Sequence, residues 1–243
     1  MRNIKFTYMY DGTDFLGFQR QPKGRTVQGI LENILFKITK EKINLVSSGR
    51  TDKGVHAHMQ VSNFLTQSPI PVEKLIKAMN NMLPQDISIQ SCKEVEIDFN
   101  ARFSAKGRVY RYYLTTLRSP FGNRFATYLD DEIDLPRFLS ILEILVGRHD
   151  FRNFRLADCA SKNQVRDIYY IYGEFIDSKN FFIEIKGNAF LKSQIRIIIG
   201  TALEIYHGKK PENYFKTLLT DFTKNYAKIV APPNGLTLVQ IKY

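Results

Sequence analysis

A chain of 243 residues with 44% hydrophobic content can bury a sizeable core, as one large domain or two small ones. Lysine and arginine number 35 against 24 acidic residues, and this net charge of +11 favours a polyanionic partner unless it marks only a generally basic surface. Apolar runs are too short to cross a bilayer and the first residues lack a secretory signal, so we expect a cytoplasmic protein without membrane contact.

The first half of the chain alternates between strand-like and helix-like patterns. Apolar residues from Val27 to Ile38 recur at helical spacing, whereas Ala57, Met59 and Val61 alternate as on a half-buried strand. The expected strands are 4–10, 43–47, 55–65 and 87–95, with helices that begin after Thr26 and at Pro71.

The second half repeats this order. The expected strands are 109–116, 164–176, 181–186 and 236–243, with helices from Asp134 to Gly147 and from about 191 to 206. A turn at residues 177–180 joins two of these strands as a hairpin. Because the strands are too closely paired for a purely parallel sheet, we expect an α+β fold. Two subdomains, residues 1–104 and 105–243, would meet along a cleft.

A glycine-flanked segment carries the clearest chemical signal. Gly49 and Gly54 permit a tight loop that projects Asp52, and the neighbouring Arg50 and Lys53 favour the ionised form of its carboxylate. Such a carboxylate can act as a nucleophile or as a general base. From this segment alone, a salt-bridged surface turn is an equally good interpretation.

Basic and aromatic residues alternate between positions 102 and 124. The cations are Arg102, Lys106, Arg108, Arg111, Arg118 and Arg124, and the aromatic residues are Phe103, Tyr110, Tyr112, Tyr113 and Phe121. Cations for phosphates together with aromatic faces for unstacked bases are typical of an RNA-binding surface. The tyrosines could equally fill the core of a sheet.

Arg196 lies among isoleucines, where a charge is costly unless it meets an opposite one. Asp52 is a plausible partner, and the alternative is that the side chain reaches solvent. Tyr110 and Tyr112 face the same way on their strand, so the pattern does not choose between them as a pocket residue. His56 and His58 have no further cluster of ligands nearby, and we expect no metal site.

Five segments carry a resemblance to a known family. They are residues 10–19 (YDGTDFLGFQ) with 26–28 and 31–32, residues 49–57 (GRTDKGVHA), residues 99–105 with 108–112, residues 188–191 with 194–196 and Gly200, and residues 231–236. In order and content they resemble the tRNA pseudouridine synthase A family, and they span nearly the whole chain. One departure is Phe18, which stands where the family usually has Trp; the chain has no Trp.

The resemblance implies two ferredoxin-like halves with joined sheets and an active site in the cleft between them. It makes Asp52 the catalytic nucleophile, places Tyr110 on the target uracil, and puts Arg196 in contact with the catalytic carboxylate. The substrate-binding residues that it implies are Arg50, Tyr110, Phe18, Gln19, Arg108 and Lys192.

The implied reaction is isomerisation of uridine to pseudouridine at positions 38, 39 and 40 of the tRNA anticodon stem-loop. It needs no cofactor and no metal, in keeping with a sequence without a Walker loop or a dinucleotide fingerprint. The family pattern also implies a homodimer in which one tRNA contacts both subunits. Two alternatives are a paralogue that acts on ribosomal RNA or another tRNA site, which Phe18 would suit, and an RNA-binding module without catalysis. A phosphate-handling hydrolase would need metal-binding carboxylates that the loop lacks.

Overall fold

The computed structural model describes residues 1–159, 161–224, 226 and 228–243. Its strands are β1 (Arg2–Tyr10), β2 (Val46–Ser47), β3 (His56–Thr66), β4 (Ile87–Val95), β5 (Gly107–Thr115), β6 (Thr127–Tyr128), β7 (Gly147–Asp150), β8 (Val165–Phe175), β9 (Asn180–Gly187) and β10 (Leu236–Lys242). Its helices are α1 (Val27–Thr39), α2 (Val72–Met82), α3 (Leu135–Leu142), α4 (Gln194–Tyr206) and α5 (Tyr214–Thr220). Mixed helices and mostly antiparallel strands confirm the α+β class.

The chain forms two compact units, residues 1–106 with 237–243 and residues 107–236. Along the sequence, β5, α3, β8, β9, α4 and β10 repeat the order of β1, α1, β2, β3, α2 and β4. The order of elements therefore repeats along the chain, and the division into subdomains 1–104 and 105–243 stays a prediction. Among the helices of the described ranges, none is both long and apolar enough to span a bilayer.

The sheet of the first unit has the ferredoxin-like arrangement. Strands β4, β1 and β3 are neighbours and antiparallel. The other edge of β3 is shared, because β2 pairs antiparallel with Ser62 and Asn63, whereas β10 pairs in parallel with His56 and Ala57. Helix α1 begins after Thr26, as expected, because the threonine hydroxyl accepts a hydrogen bond from the Gly29 N–H.

The alternation predicted for Ala57, Met59 and Val61 is wrong at its middle residue. Met59 is 38% exposed although Ala57 and Val61 are buried. The register between β1 and β3 shifts there, because Tyr8 pairs with Gln60 while Tyr10 pairs with Ala57, which leaves one extra residue in β3. This bulge puts residues 58 and 59 on the exposed side and turns Gln60 inward.

In the second unit, β5, β9, β8 and β7 follow one another as antiparallel neighbours, and β6 pairs in parallel with β5. The predicted β8–β9 hairpin is confirmed, and the Asp177 carboxylate accepts the N–H groups of Lys179 and Asn180 in its turn. Helix α4 begins at residue 194 rather than 191, because Ser193 has a positive φ of 59°. Strands β6 and β7 and helix α5 were not predicted.

Candidate active site

Asp52 lies on the loop between β2 and β3, which we call the Asp52 loop (residues 48–55). Its side chain is half-buried, and those of Arg50 and Lys53 are exposed. The Val55 N–H donates to the Asp52 carbonyl at 3.2 Å and closes a turn in which Gly54 has a φ of +78°. Of the two flanking glycines, Gly54 is the one whose backbone requires glycine. The loop thus presents a carboxylate from a tight turn, as the sequence predicts.

The segment from 11 to 26, between β1 and α1, packs its backbone directly against the Asp52 loop. Gly17 has a φ of +103°, and a Cβ on it would lie 3.1 Å from the Thr51 carbonyl oxygen and 3.3 Å from the Lys53 nitrogen. The neighbouring Phe18 N–H donates to the Thr51 carbonyl at 3.0 Å. A Cβ at Gly12 would lie 2.0 Å from the Val55 carbonyl oxygen. Glycine is therefore required at both positions by close backbone approach.

Two buried side chains also hold the Asp52 loop. The Tyr10 hydroxyl lies 2.7 Å from Thr51 Oγ1. Gln60 has no exposed surface; its Nε2 donates to the Gly49 carbonyl at 3.1 Å and its Oε1 accepts from Ser48 Oγ at 2.6 Å. Buried polar groups of this kind are costly unless they are hydrogen-bonded, so these contacts restrict the loop to one conformation.

Arg25 anchors the far end of the 11–26 segment. Its guanidinium forms two hydrogen bonds to the Asp86 carboxylate, at 2.6 and 2.7 Å, and lies 4.1 Å from the centre of the Phe15 ring. The hydrogen bond to Asp86 raises the pKa of Arg25. The Asp11 N–H also donates to the Asp86 carbonyl at 3.0 Å. The segment that supports the Asp52 loop is thus itself fixed to the turn before β4.

Phe18 and Gln19, both expected to bind substrate, differ in their surroundings. The Phe18 ring is 2% exposed and lies 6.4 Å from the Tyr10 ring. Gln19 is exposed. The residue that replaces the family's usual Trp therefore packs in the core beneath the Asp52 loop, where it contacts the loop through its backbone. Substrate binding by these two residues stays a prediction.

In the second unit, the structure separates the two tyrosines that the sequence left equivalent. Tyr112 has no exposed surface, and its hydroxyl donates to the Pro232 carbonyl at 2.8 Å and lies 2.7 Å from Thr127 Oγ1. Burial raises the pKa of this phenol. Tyr110 is 8% exposed and meets Phe190 edge to face, with 5.5 Å between ring centres. Tyr112 is thus a core residue, which leaves Tyr110 as the candidate for a substrate pocket.

Arg196 is half-buried in the first turn of α4, between two isoleucines with 3% exposure or less. Its Nε donates to the Ala231 carbonyl at 2.8 Å, and the Ala231 N–H donates to the Arg196 carbonyl at 3.0 Å. A Cβ at Gly200, one turn further along, would lie 2.5 Å from the Ile229 carbonyl oxygen. Close packing between α4 and residues 229–231 therefore fixes the direction of this guanidinium.

Two of the cations expected to bind substrate, Arg108 and Lys192, contact oxygen atoms of the protein. The third, Arg50, is exposed on the Asp52 loop. Arg108 is half-buried and donates from Nη1 to the Asn188 carbonyl at 2.6 Å. Lys192 is exposed and forms an ion pair with Asp158. The part of the chain that the structure describes contains no group of three or more His, Cys, Asp or Glu placed to hold a metal ion.

Sequence reasoning assigned no role to Tyr10, Thr51 or Gln60. The available signal was weak: Tyr10 and Thr51 stand inside the segments of family resemblance, and Gln60 is one of several polar residues in its strand. Their partners lie 41 and 11 residues away along the chain, so local patterns could not connect them.

Comparison with known proteins gives the family. The sequence model described as tRNA pseudouridine synthase matches residues 7–104 and 141–243. A protein named tRNA pseudouridine synthase A from Clostridium botulinum (strain Alaska E43 / Type E3) is 40% identical over 246 residues, which cover the whole of both chains. A protein of the same name from Caldicellulosiruptor saccharolyticus is 40% identical over the whole of both chains. Another, from Syntrophotalea carbinolica, is 35% identical over all of this chain and 97% of its own. The chain therefore belongs to the tRNA pseudouridine synthase A family.

Proposed function

We propose that this chain isomerises uridine to pseudouridine at positions 38, 39 and 40 in the anticodon stem-loop of tRNA. The observation that carries the proposal is Asp52, a half-buried carboxylate on a loop held at its backbone by Gly17, Phe18 and Gln60. A reacting group fixed in this way has little conformational freedom left to lose when substrate binds.

The isomerisation breaks the N1–C1′ bond, turns the base, and joins C5 to C1′. The proton on C5 is lost to solvent and N1 gains one, so the product has the atoms of the substrate and no oxidant or reductant takes part. The Asp52 carboxylate has two possible tasks: attack on C1′, or removal of the 2′ proton to form a glycal. Both routes start from an ionised and well-placed Asp52.

The uracil must leave the base stack before it can be turned. We propose that Tyr110 stacks on the extruded base and that Arg196 pairs with the catalytic carboxylate. Arg50, Phe18, Gln19, Arg108 and Lys192 would bind the substrate, and Phe18 would also support the Asp52 loop from beneath. This distribution suits recognition of RNA shape and backbone, which modification of neighbouring uridines requires.

We further propose, on the family pattern, a cytoplasmic homodimer in which each tRNA contacts both subunits. Within each subunit, residues 1–104 would form the pseudouridine synthase subdomain that carries Asp52, and residues 105–243 the second one. The net charge of +11 supports a polyanionic partner through phosphate contacts.

Tritium release tests the reaction. Unmodified tRNA transcripts labelled at C5 of uridine should lose tritium with the native protein and not with Asp52→Ala. The variant should keep its RNA affinity within a few-fold, because one carboxylate adds little attraction to a polyanion. A large loss of RNA binding in Asp52→Ala would contradict the catalytic assignment.

The product site separates this function from its main alternative. Sequencing the modified transcripts should place pseudouridine at positions 38 to 40. The presence of Phe18 in place of the family's usual Trp favours, as the second candidate, a paralogue with another RNA target. Release from ribosomal RNA fragments, together with none from any tRNA that has uridine at 38 to 40, would select that paralogue.

A further inference from the structure

The hydroxyl pair between Tyr10 and Thr51 joins the central strand of the first unit to the residue next to Asp52. Tyr10 is 4% exposed and Thr51 is 8% exposed, and their oxygen atoms lie 2.7 Å apart. Thr51 is held at a second point, because its carbonyl accepts the Phe18 N–H. One residue is thus fixed through both its side chain and its backbone, and the next residue along the chain is Asp52.

We propose that Tyr10 is a positioning residue, whose hydroxyl fixes Thr51 and thereby sets the direction of the Asp52 carboxylate. This inference rests on the proposed function, since it gives Asp52 the catalytic task. The Tyr10 hydroxyl contacts the side chain of Thr51, the residue directly before Asp52. A displacement of about 1 Å in a reacting group lowers a rate by roughly a hundredfold, so one hydroxyl at this place has a large effect on turnover.

The same strand supplies a matched control. Tyr8 is also fully buried, and its hydroxyl lies 2.8 Å from Ser62 Oγ, a serine of β3 that does not belong to the Asp52 loop. Tyr8→Phe and Tyr10→Phe therefore each remove one buried hydroxyl from β1 and leave the ring in place. Ser62 keeps a second hydroxyl partner, Ser47, at 2.6 Å. Of the two hydroxyls that these variants remove, only that of Tyr10 contacts the Asp52 loop.

The experiment compares single-turnover tritium release for the full chain and both variants on a tRNA transcript. Tyr10→Phe should lower the single-turnover rate at saturating enzyme roughly ten- to a hundredfold, and the KM for RNA from a parallel steady-state assay should stay within about threefold of the native value. Tyr8→Phe should keep the native rate. Both variants should unfold in thermal melts within a few degrees of each other, so that a loss of stability does not account for the difference.

A double-mutant cycle gives the second readout. If Tyr10 acts through Thr51, the rate of the Tyr10→Phe, Thr51→Val double variant should equal that of the slower single variant. Multiplied effects would show that Tyr10 acts by another route and would overturn the proposal. Equal rates for Tyr8→Phe and Tyr10→Phe would also overturn it.

The proposed function is judged separately in the same experiment. Native release together with an inactive Asp52→Ala supports the isomerase whatever the tyrosine variants show. If the native chain releases no tritium from any RNA, the proposed function fails, and the inference about Tyr10 fails with it.

Discussion

The Asp52 loop of the first unit and the cations of the second unit are held by different kinds of contact. The loop is fixed by neutral groups: the Tyr10 hydroxyl, the Gln60 amide and the Phe18 N–H. The cations of the second unit are tied to oxygen atoms, some of which carry full charge. Their partners are the Asn188 carbonyl for Arg108, Glu184 for Arg111, the Ala231 carbonyl for Arg196 and Asp158 for Lys192.

Because of this difference, the placement of Asp52 and the affinity for RNA should respond differently to salt. The buried, neutral hydrogen bonds that hold the loop are little affected by ionic strength, whereas contacts between exposed charges are screened within about 8 Å in physiological salt. We therefore expect salt to weaken RNA binding steeply while the placement of Asp52, and with it the rate of bound substrate, stays nearly constant. Under the proposed function the loop and Arg196 set the rate of the chemical step, and the other cations set how strongly RNA is held.

The largest expected effect follows from moving the backbone of the Asp52 loop. Gly17→Ala would place a Cβ 3.1 to 3.4 Å from three backbone atoms of residues 51 to 53 and at a φ of +103°. The loop must shift by a few tenths of an ångström to relieve this contact, so the rate of bound substrate should fall by up to about a hundredfold. Single-turnover tritium release measures the change.

Gly208→Ala is the matched control for this variant. Gly208 also has a positive φ, +71°, but a Cβ on it would meet nothing within 4 Å. Both substitutions incur the backbone cost of a side chain at positive φ, about 1–2 kcal/mol. Only Gly17→Ala should lose activity; full activity in that variant would contradict the role of close backbone approach.

Local patterns in the sequence predict most of the elements. Helix α1 and strand β4 begin where expected, because the cap at Thr26 and the apolar periodicity are properties of neighbouring residues. The bulge at residues 58 and 59 was not predicted, and neither was the parallel pairing of β10 with β3. Both depend on partners far along the chain, which periodicity does not encode.

The candidate site divides in the same way. Asp52 and Gly54 are recognisable from residue type alone, since a carboxylate beside a glycine turn is a local feature. Tyr10 and Gln60 act on the loop only through the fold, and Phe18 is buried although its place in the family motif suggested contact with substrate. The sequence thus indicates the proposed reacting group more readily than the groups that hold it.

A smaller effect is expected when a directed cation of the second unit is removed. Arg196→Leu deletes the hydrogen bond from Nε to the Ala231 carbonyl, and it removes the positive charge that we propose to pair with Asp52. The side chain is half-buried among isoleucines, so a leucine should pack there and the fold should be kept. We expect kcat to fall roughly tenfold or somewhat more, because a hydrogen bond to a charged group contributes about 1.5–3 kcal/mol.

Arg137→Leu is the control for that variant. The guanidinium of Arg137, a residue of α3, lies 4.9 Å from the centre of the Tyr206 ring, at the end of α4 opposite Arg196. Its loss should leave kcat at the native value. Native kcat in Arg196→Leu would remove the proposed pair with Asp52.

The smallest expected effect concerns affinity alone. Lys192→Ala removes an exposed cation that we expect to contact a phosphate, whereas Lys179→Ala removes an exposed lysine from the β8–β9 turn. Each lysine has an acidic partner, Asp158 for Lys192 and Glu132 for Lys179, so the two variants also leave equivalent unpaired carboxylates.

Binding is measured with Asp52→Ala protein to prevent turnover. Lys192→Ala should weaken tRNA binding a few-fold and lower the slope of log K against log salt concentration by about one, without changing kcat in active protein. The Lys179 variant should keep the native slope. If both lysines change the slope equally, RNA binding depends on total charge rather than on placed cations, and the contrast between a positioned loop and a set of specific phosphate contacts would be lost.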